Sequence, residues 1–102
     1  MLRHVVLHHS GFGQPHFDLM FETSPDSLLA TWRSDRWPID KDAQLHPAGD
    51  HRRAYLDYEG PVSGDRGVVR RIAAGTHVVL EDAAAHLVVQ LESGRQLTLR
   101  RA

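Results

Sequence analysis

The sequence predicts an all-β fold, a small barrel of about seven to eight mostly antiparallel strands with little helix. Short segments rich in apolar and β-branched residues recur along the chain, and turn-forming residues bound each of them. No segment repeats apolar residues at a period of about 3.6 over the length of an amphipathic helix. The chain has 102 residues and neither a linker nor an internal repeat, so we expect one domain over residues 1–102.

Seven segments carry the strand pattern, and glycine, proline or acidic turn residues separate them. A Gly/Pro turn over residues 10–15 joins the first two strands into a hairpin, and turns over residues 82–85 and 92–95 join the last three. The alternative for residues 82–85 is a helical turn nucleated by the three alanines there. The predicted strands are residues 2–9, 16–22, 28–33, 68–72, 76–81, 86–91 and 96–100.

The middle of the chain has the weakest strand pattern. Residues 36–50 contain two prolines and a glycine, and we expect a loop there with at most one short strand. Residues 51–58 either begin as a helical turn capped by Asp50 or stay extended. Gly60 and Pro61 then end any helix.

The composition excludes several classes of protein. The absence of cysteine excludes a disulfide framework, thiolate metal sites and a cysteine nucleophile. The apolar runs are far shorter than a membrane span and no signal-peptide pattern opens the chain, so we expect a cytoplasmic protein without a membrane partner. The formal net charge of −1 gives no overall basic field, and only local arginines can contact nucleic acid.

A histidine-rich segment, residues 8–22, contains the first candidate site. Side chains alternate faces along a strand, so His16 and Asp18 share one face while the apolar residues between them fill a core. Histidine and carboxylate side chains are ligands for Zn, Mn or Fe. His9, returned across the turn, would complete a three-ligand set. The alternative is a polar surface strand with incidental histidines.

A second cluster follows between residues 50 and 60. His51 and Tyr55 are four residues apart, which places them on the same side of a helical turn. A histidine there can act as general acid or base, or bind phosphate. The next turn, residues 61–67, is suited to presenting Arg66 to an anion. The alternative for His51 and Tyr55 is a structural hydrogen bond that stabilises the loop.

The order and spacing of these motifs resemble the 3′-phosphoesterase domain of bacterial DNA ligase D and its small stand-alone relatives. The resemblance covers roughly residues 5–75. The matching residues are His9, the run His16-Phe17-Asp18-Leu19-Met20-Phe21-Glu22, the pair Thr31-Trp32, and the series His51, Tyr55, Tyr58, Glu59 and Gly60.

The resemblance implies a function as well as a small β-barrel. It implies a metal site of His9, His16 and Asp18, with Mn²⁺ the expected ion and Zn²⁺ or another transition metal as alternatives. It implies that His51 and Tyr55 act on the scissile phosphate. The implied reaction removes a 3′-phosphate or a 3′-ribonucleotide from a nucleic-acid end, in company with a ligase or another DNA-repair partner.

Two positions depart from the family pattern. Where the family has an arginine and a glutamine beside the metal site, this chain has Met20 and Leu7. We therefore expect other arginines to bind the phosphate, and the candidates are Arg33, Arg52 and Arg66. The alternative function is a non-catalytic or weakly active barrel module that binds nucleic-acid ends or a repair partner.

Overall fold

Eight antiparallel strands and one short 3₁₀ turn make up the described part of the chain, residues 1–40 and 43–101, in a computed structural model. The strands are β1 (Leu2–Ser10), β2 (His16–Glu22), β3 (Leu29–Ser34), β4 (Leu45–His51), β5 (Gly60–Pro61), β6 (Val68–Asp82), β7 (His86–Leu91) and β8 (Gln96–Arg100), and the 3₁₀ turn is Arg53–Leu56. The predicted all-β class is confirmed, and β2, β7 and β8 have the predicted bounds. Within these residues no helix is long and apolar enough to cross a membrane.

The strands form one sheet that curls into a nearly closed barrel. The order is β4-β3-β2-β1-β6-β7-β8, and the short β5 pairs with β6. The barrel closes where β4 approaches β8. Near this closure, the indole N–H of Trp32 on β3 donates to the carbonyl of Arg100 on β8 at 2.6 Å. The guanidinium of Arg95 likewise donates to the carbonyl of Ile39 at 2.9 Å. Side chains thus connect the two ends of the sheet.

Two apolar cores lie on opposite faces of the sheet formed by β1, β2 and β3. The larger core, around Phe21 and Trp32, fills the barrel. In the smaller core, Leu56 of the 3₁₀ turn packs with Leu7 and Met20 on the outer face. β2 is therefore buried on both faces. The larger core consists of Val6, Leu19, Phe21, Ala30, Trp32, Ile39, Leu87, Val89 and Leu99, and the smaller one of Val5, Leu7, Met20, Leu29, Leu56 and Val69.

β4 is longer than the one short strand that the sequence allowed within the predicted loop. It has seven residues and pairs with β3 at the edge of the sheet order, where Pro47 is tolerated because edge N–H groups need no ladder partner. His51 ends this strand and is extended. The helical turn begins only at Arg53, and no side chain caps it, so the predicted Asp50 cap is wrong.

β6 is one strand of 15 residues where the sequence predicted two. Its first part pairs with β1 and its last part with β7. Gly75 does not break the strand. A Cβ at Gly75 would lie 2.1 Å from Oε1 of Glu92 and 3.0 Å from Nε2 of His4, so this glycine makes room for two side chains. The alanines after β6 form a connection to β7 and no helical turn.

A pair of histidines, the buried His77 and the half-buried His4, connects β1, β2 and β6. Nε2–H of His77 donates to the carbonyl of Glu22 at 2.8 Å, which leaves Nδ1 of His77 as an acceptor. Nδ1–H of His4 donates to that atom at 2.9 Å. Burial, and then the neighbouring His77, lower the pKa of His4 to about 4, and burial also lowers the pKa of His77. Both rings are therefore held neutral.

We expect the protein to lose stability as the pH falls from 6.5 towards about 4. The pKa of His4 is 6.5 when unfolded and about 4 when folded, so the unfolded state binds more protons in this window. The contribution is complete above pH 6.5 and decreases by about 1–2 kcal/mol on acidification, allowing for the partial exposure of His4.

Urea unfolding across this pH window measures the effect. The variant His4→Asn should show a flatter dependence of unfolding free energy on pH than the wild type. His8→Gln, on the same strand but outside the histidine pair, should keep the wild-type slope. A His4→Asn protein with the wild-type slope would contradict the assignment.

Candidate metal centre

The β1–β2 hairpin brings the three predicted metal ligands together. His9 and His16 are register partners across the hairpin, and Asp18 follows His16 on the same face of β2. One ligand atom from each residue lies within 4.8 Å of the other two. Two directly paired strands therefore supply the whole donor set.

These donors do not lie on an exposed strand. His16 and Asp18 are 8% and 2% exposed, and His9 is half-buried. Burying a carboxylate costs free energy unless a partner compensates it. This burial argues against the alternative of incidental residues on a polar surface.

Backbone carbonyls fix the orientation of both imidazoles. Nδ1–H of His16 donates to the carbonyl of Gln14 at 2.9 Å, and Nε2–H of His9 donates to the carbonyl of Arg66 at 2.6 Å. The lone pair is then on Nε2 of His16 and on Nδ1 of His9. Carbonyl partners of this kind orient histidine ligands in metal sites.

The donor atoms of His16 and Asp18 lack partners. Nε2 of His16 lies 3.4 Å from Oδ2 of Asp18, and both atoms carry lone pairs. Nε2 of His16 and Oδ1 of Asp18 are buried with no hydrogen-bond partner among the described residues. Buried polar atoms are normally paired. A cation held between these residues would satisfy the unpaired donors and remove the repulsion.

The residues present fit a divalent transition metal. Imidazole and carboxylate donors suit Zn²⁺, Fe²⁺ and Mn²⁺, and three ligands leave positions open for substrate. Two atoms bound about 2.1 Å from one ion at the tetrahedral angle are about 3.4 Å apart. The measured separation between His16 Nε2 and Asp18 Oδ2 is 3.4 Å.

Arg33, a predicted phosphate-binding residue, lies directly opposite Asp18 on β3. Its Nε is 3.6 Å from Oδ1 of Asp18, too far for a hydrogen bond, and half of its side chain is exposed. The guanidinium therefore balances part of the carboxylate charge while its donors remain open to an anion.

The other predicted site residues share one cleft of about 450 Å³, lined in part by His51, Arg52, Tyr55 and Arg66. The rings of His51 and Tyr55 meet edge to face with centroids 5.8 Å apart. The predicted pair is thus together, but the junction between β4 and the 3₁₀ turn positions it, not a helical turn as predicted. Nδ1–H of His51 donates to the carbonyl of Gly49 at 2.8 Å, which leaves Nε2 free.

Arg66 joins this cleft to the metal ligands through its backbone. Its carbonyl accepts the bond from His9, whereas its guanidinium Nε donates to the carbonyl of Ser63 at 2.7 Å. Arg52 is the freer cation, with its guanidinium carbon 6.0 Å from the centroid of the Tyr55 ring.

The 3₁₀ turn that carries Tyr55 is anchored to β2 by an ion pair. Arg53 donates to Glu22 at 2.7 Å and to the carbonyl of Ser27 at 2.9 Å. Burial favours a raised pKa for Glu22, but the hydrogen bonds from Arg53 and from the backbone N–H of Arg3 outweigh it and lower this pKa. Glu22 therefore stays a carboxylate and holds the 3₁₀ turn in place with a side chain that is 7% exposed.

The sequence-based reasoning missed His46. It pairs with Arg33 across β3 and β4, so it shares the face of Asp18, and it lines a cleft of about 370 Å³ with His16 and Arg33. Its position depends on β4, which the prolines and glycine of that region concealed.

Leu7 and Met20, where the sequence differs from the phosphoesterase motifs that it resembles, lie in the smaller core next to His9 and Asp18. They are 0% and 1% exposed and pack with Leu56. The row of side chains behind the metal ligands is therefore closed to a phosphate. Comparison with protein-family models and with curated proteins found no match for the chain.

Proposed function

We propose that the protein is a divalent-metal-dependent phosphoesterase that removes 3′-phosphate or a 3′-ribonucleotide from nucleic-acid ends. The observation that carries this proposal is the buried pair of unpartnered donors on His16 and Asp18, completed by His9. The cleft of His51 and Tyr55 supports it, because Arg66 also lines this cleft and its backbone carbonyl accepts a hydrogen bond from His9. The sequence motifs of the DNA ligase D 3′-phosphoesterase domain include all of these residues.

His9, His16 and Asp18 would hold the metal, with Mn²⁺ expected and Zn²⁺ as the alternative. A divalent ion supplies positive charge that stabilises phosphate oxygens and makes water more acidic. Arg52 and Arg33 provide further positive charge on the two sides of the donor set.

In the proposed reaction His51 moves a proton. Hydrolysis breaks the bond between phosphorus and the 3′ oxygen, adds the hydroxyl of water to phosphorus, and leaves the proton on the 3′ oxygen. Because Nδ1–H of His51 donates to the carbonyl of Gly49, Nε2 is the ring atom that would exchange the proton, and the edge-to-face contact with Tyr55 holds the ring. Tyr55 can also donate its hydroxyl proton to a phosphate oxygen.

The second candidate function is a module that binds nucleic-acid ends, or a ligase or other repair partner, with little or no turnover. The burial of Leu7 and Met20 favours it, because the family has a glutamine at the position of Leu7 and a phosphate-contacting arginine at that of Met20. A closed apolar row there leaves fewer groups to stabilise the transition state.

We expect the purified protein with Mn²⁺ to convert a 3′-phosphate-terminated primer on a template to a 3′-hydroxyl. His51→Gln should lower kcat by about 100-fold or more without changing Mn²⁺ affinity. His86→Gln, on β7 and outside the clefts, should keep wild-type activity. Gel separation of the two primer forms measures the product. Tight, metal-dependent binding of the nucleic-acid end without any 3′-hydroxyl product would refute the phosphoesterase function and favour the binding module.

A further inference from the structure

One cleft, lined by His16, Arg33 and His46, extends beyond the groups of the proposed reaction, because His46 has no part in that reaction. It has a volume of about 370 Å³ and reaches the metal ligands at His16. The β1–β2 turn closes one side with Phe12, whose ring is 53% exposed. The cleft therefore adjoins the donor set at a different residue from the cleft of His51.

Arg33 and His46 stand side by side in this cleft with open hydrogen-bonding groups. Asp18, Arg33 and His46 are successive register partners on β2, β3 and β4, so their side chains share a face at strand spacings of about 4.8 Å. Within the described residues Arg33 makes only the long contact to Asp18, and His46 makes no hydrogen bond or ion pair.

The charge in the cleft favours an anion. Among the described residues that line the cleft, Asp35 is the one carboxylate at the rim, and it lies 3.7 Å from Arg36, which is also 3.7 Å from Asp40 and balances part of the charge. Asp18 is buried behind the cleft and belongs to the metal ligands. The guanidinium of Arg33 presents several N–H donors in a plane, an arrangement that matches phosphate oxygens.

We propose that Arg33 and His46 bind the internucleotide phosphate that precedes the 3′-terminal nucleotide, with a base stacked on Phe12. This site would select nucleic-acid ends over small phosphate esters, which lack a second phosphate. The inference rests on the proposed function, because it places the terminal phosphate at His9, His16 and Asp18. Aromatic stacking beside a cationic groove is a common way to hold single-stranded nucleic acid.

The test compares two ligands of the Mn²⁺-loaded protein by calorimetry. The dinucleotide d(TpTp) carries one internucleotide phosphate, and thymidine 3′-phosphate carries none. We expect d(TpTp) to bind about tenfold more tightly or better, and His46→Gln to weaken d(TpTp) by about tenfold while leaving thymidine 3′-phosphate unchanged. Because Arg33 also lies 3.6 Å from Asp18, Arg33→Gln should weaken both ligands, and d(TpTp) more than thymidine 3′-phosphate. Arg70→Gln, an exposed arginine paired with His8, is the matched control and should change neither affinity.

Each outcome decides between the alternatives. Equal affinities of the wild type for the two ligands, or equal losses for both in the variants, would overturn the second phosphate site. Chromatography of each sample after titration shows separately whether phosphate has been released. Selective d(TpTp) binding without phosphate release would support the second phosphate site and refute the hydrolase. Phosphate release without selective binding would support the hydrolase and refute the second phosphate site. Melting temperatures equal to that of the wild type confirm that the variants are folded.

Discussion

Replacing Asp18 with asparagine is expected to abolish metal binding and to stabilise the metal-free protein. The asparagine has the same shape but lacks the charge that a divalent ion requires. We expect Mn²⁺ affinity to fall by more than about 100-fold, beyond the roughly 10–100-fold loss typical of residues that only orient a ligand.

The gain in stability of the metal-free protein follows from the unpaired atoms of His16 and Asp18. An asparagine N–H at the position of Oδ2 would donate to Nε2 of His16, 3.4 Å away, and the repulsion between two lone pairs would disappear. The lost attraction to Arg33 is small, because that side chain is half exposed. We therefore expect the free energy of unfolding to rise by about 1 kcal/mol.

Calorimetric titration with Mn²⁺ and urea unfolding in EDTA measure these opposite effects. Asp35→Asn, an exposed carboxylate just past β3, is the control, and it should leave both quantities within about 0.5 kcal/mol of the wild type. An Asp18→Asn protein that binds Mn²⁺ normally, or that is less stable without metal, would refute the assignment of Asp18.

Replacing Gly67 with alanine is expected to destabilise the protein by about 3 kcal/mol or more. Its φ is +82°, and an added Cβ would lie 2.1 Å from the carbonyl oxygen of Ser10 and 3.1 Å from the backbone nitrogen of Phe12. These atoms belong to the end of β1 and the following turn, so they can yield only if the backbone moves.

The same substitution should also weaken the metal site. Gly67 follows Arg66, whose carbonyl orients His9, and displacing this turn removes that bond. Mn²⁺ affinity should then fall by about 10–100-fold. Gly94→Ala is the matched control, since Gly94 has a φ of +92° with no heavy atom within 4 Å of an added Cβ. It should cost only the backbone strain of about 1–2 kcal/mol, with metal affinity unchanged.

Urea unfolding and Mn²⁺ titration of the two alanine variants separate steric overlap from backbone strain. If Gly67→Ala and Gly94→Ala lose the same stability and both retain the wild-type affinity, the close approach of the β5–β6 turn to β1 has no energetic role.

The strands that the sequence predicted well are those with clear alternation between strong turns. β2 alternates core and site residues without interruption, and β7 and β8 lie between acidic or glycine turns. The sequence allowed only a short strand where β4 has seven residues, because Pro47 and Gly49 disfavour a strand unless it lies at a sheet edge, which local sequence does not reveal. Gly75 resembles a strand break in the sequence, because the side chain of Glu92, which requires a glycine at this position, is distant along the chain.

Part of the candidate site, like part of the fold, was predictable from the sequence. The set of His9, His16 and Asp18 was predictable because one hairpin contains it and the period of two fixes its face. The pairing of His46 with Arg33 was not predictable, because it depends on the register of a strand that the sequence concealed. The second core under the 3₁₀ turn was also hidden, since one apolar residue, Leu56, closes it.

The hydrogen bond between His9 and Arg66 has a consequence for the order in which the site assembles. The donors of His9 and His16 meet as soon as the β1–β2 hairpin closes, an event that takes about 1–10 μs in isolated hairpins. The bond that orients His9 joins residues 57 positions apart and requires β6 to dock on β1, which is slower because a long loop must close first. The three candidate ligands are therefore gathered early in folding, and we expect the affinity for metal to reach its final value only when the barrel is complete.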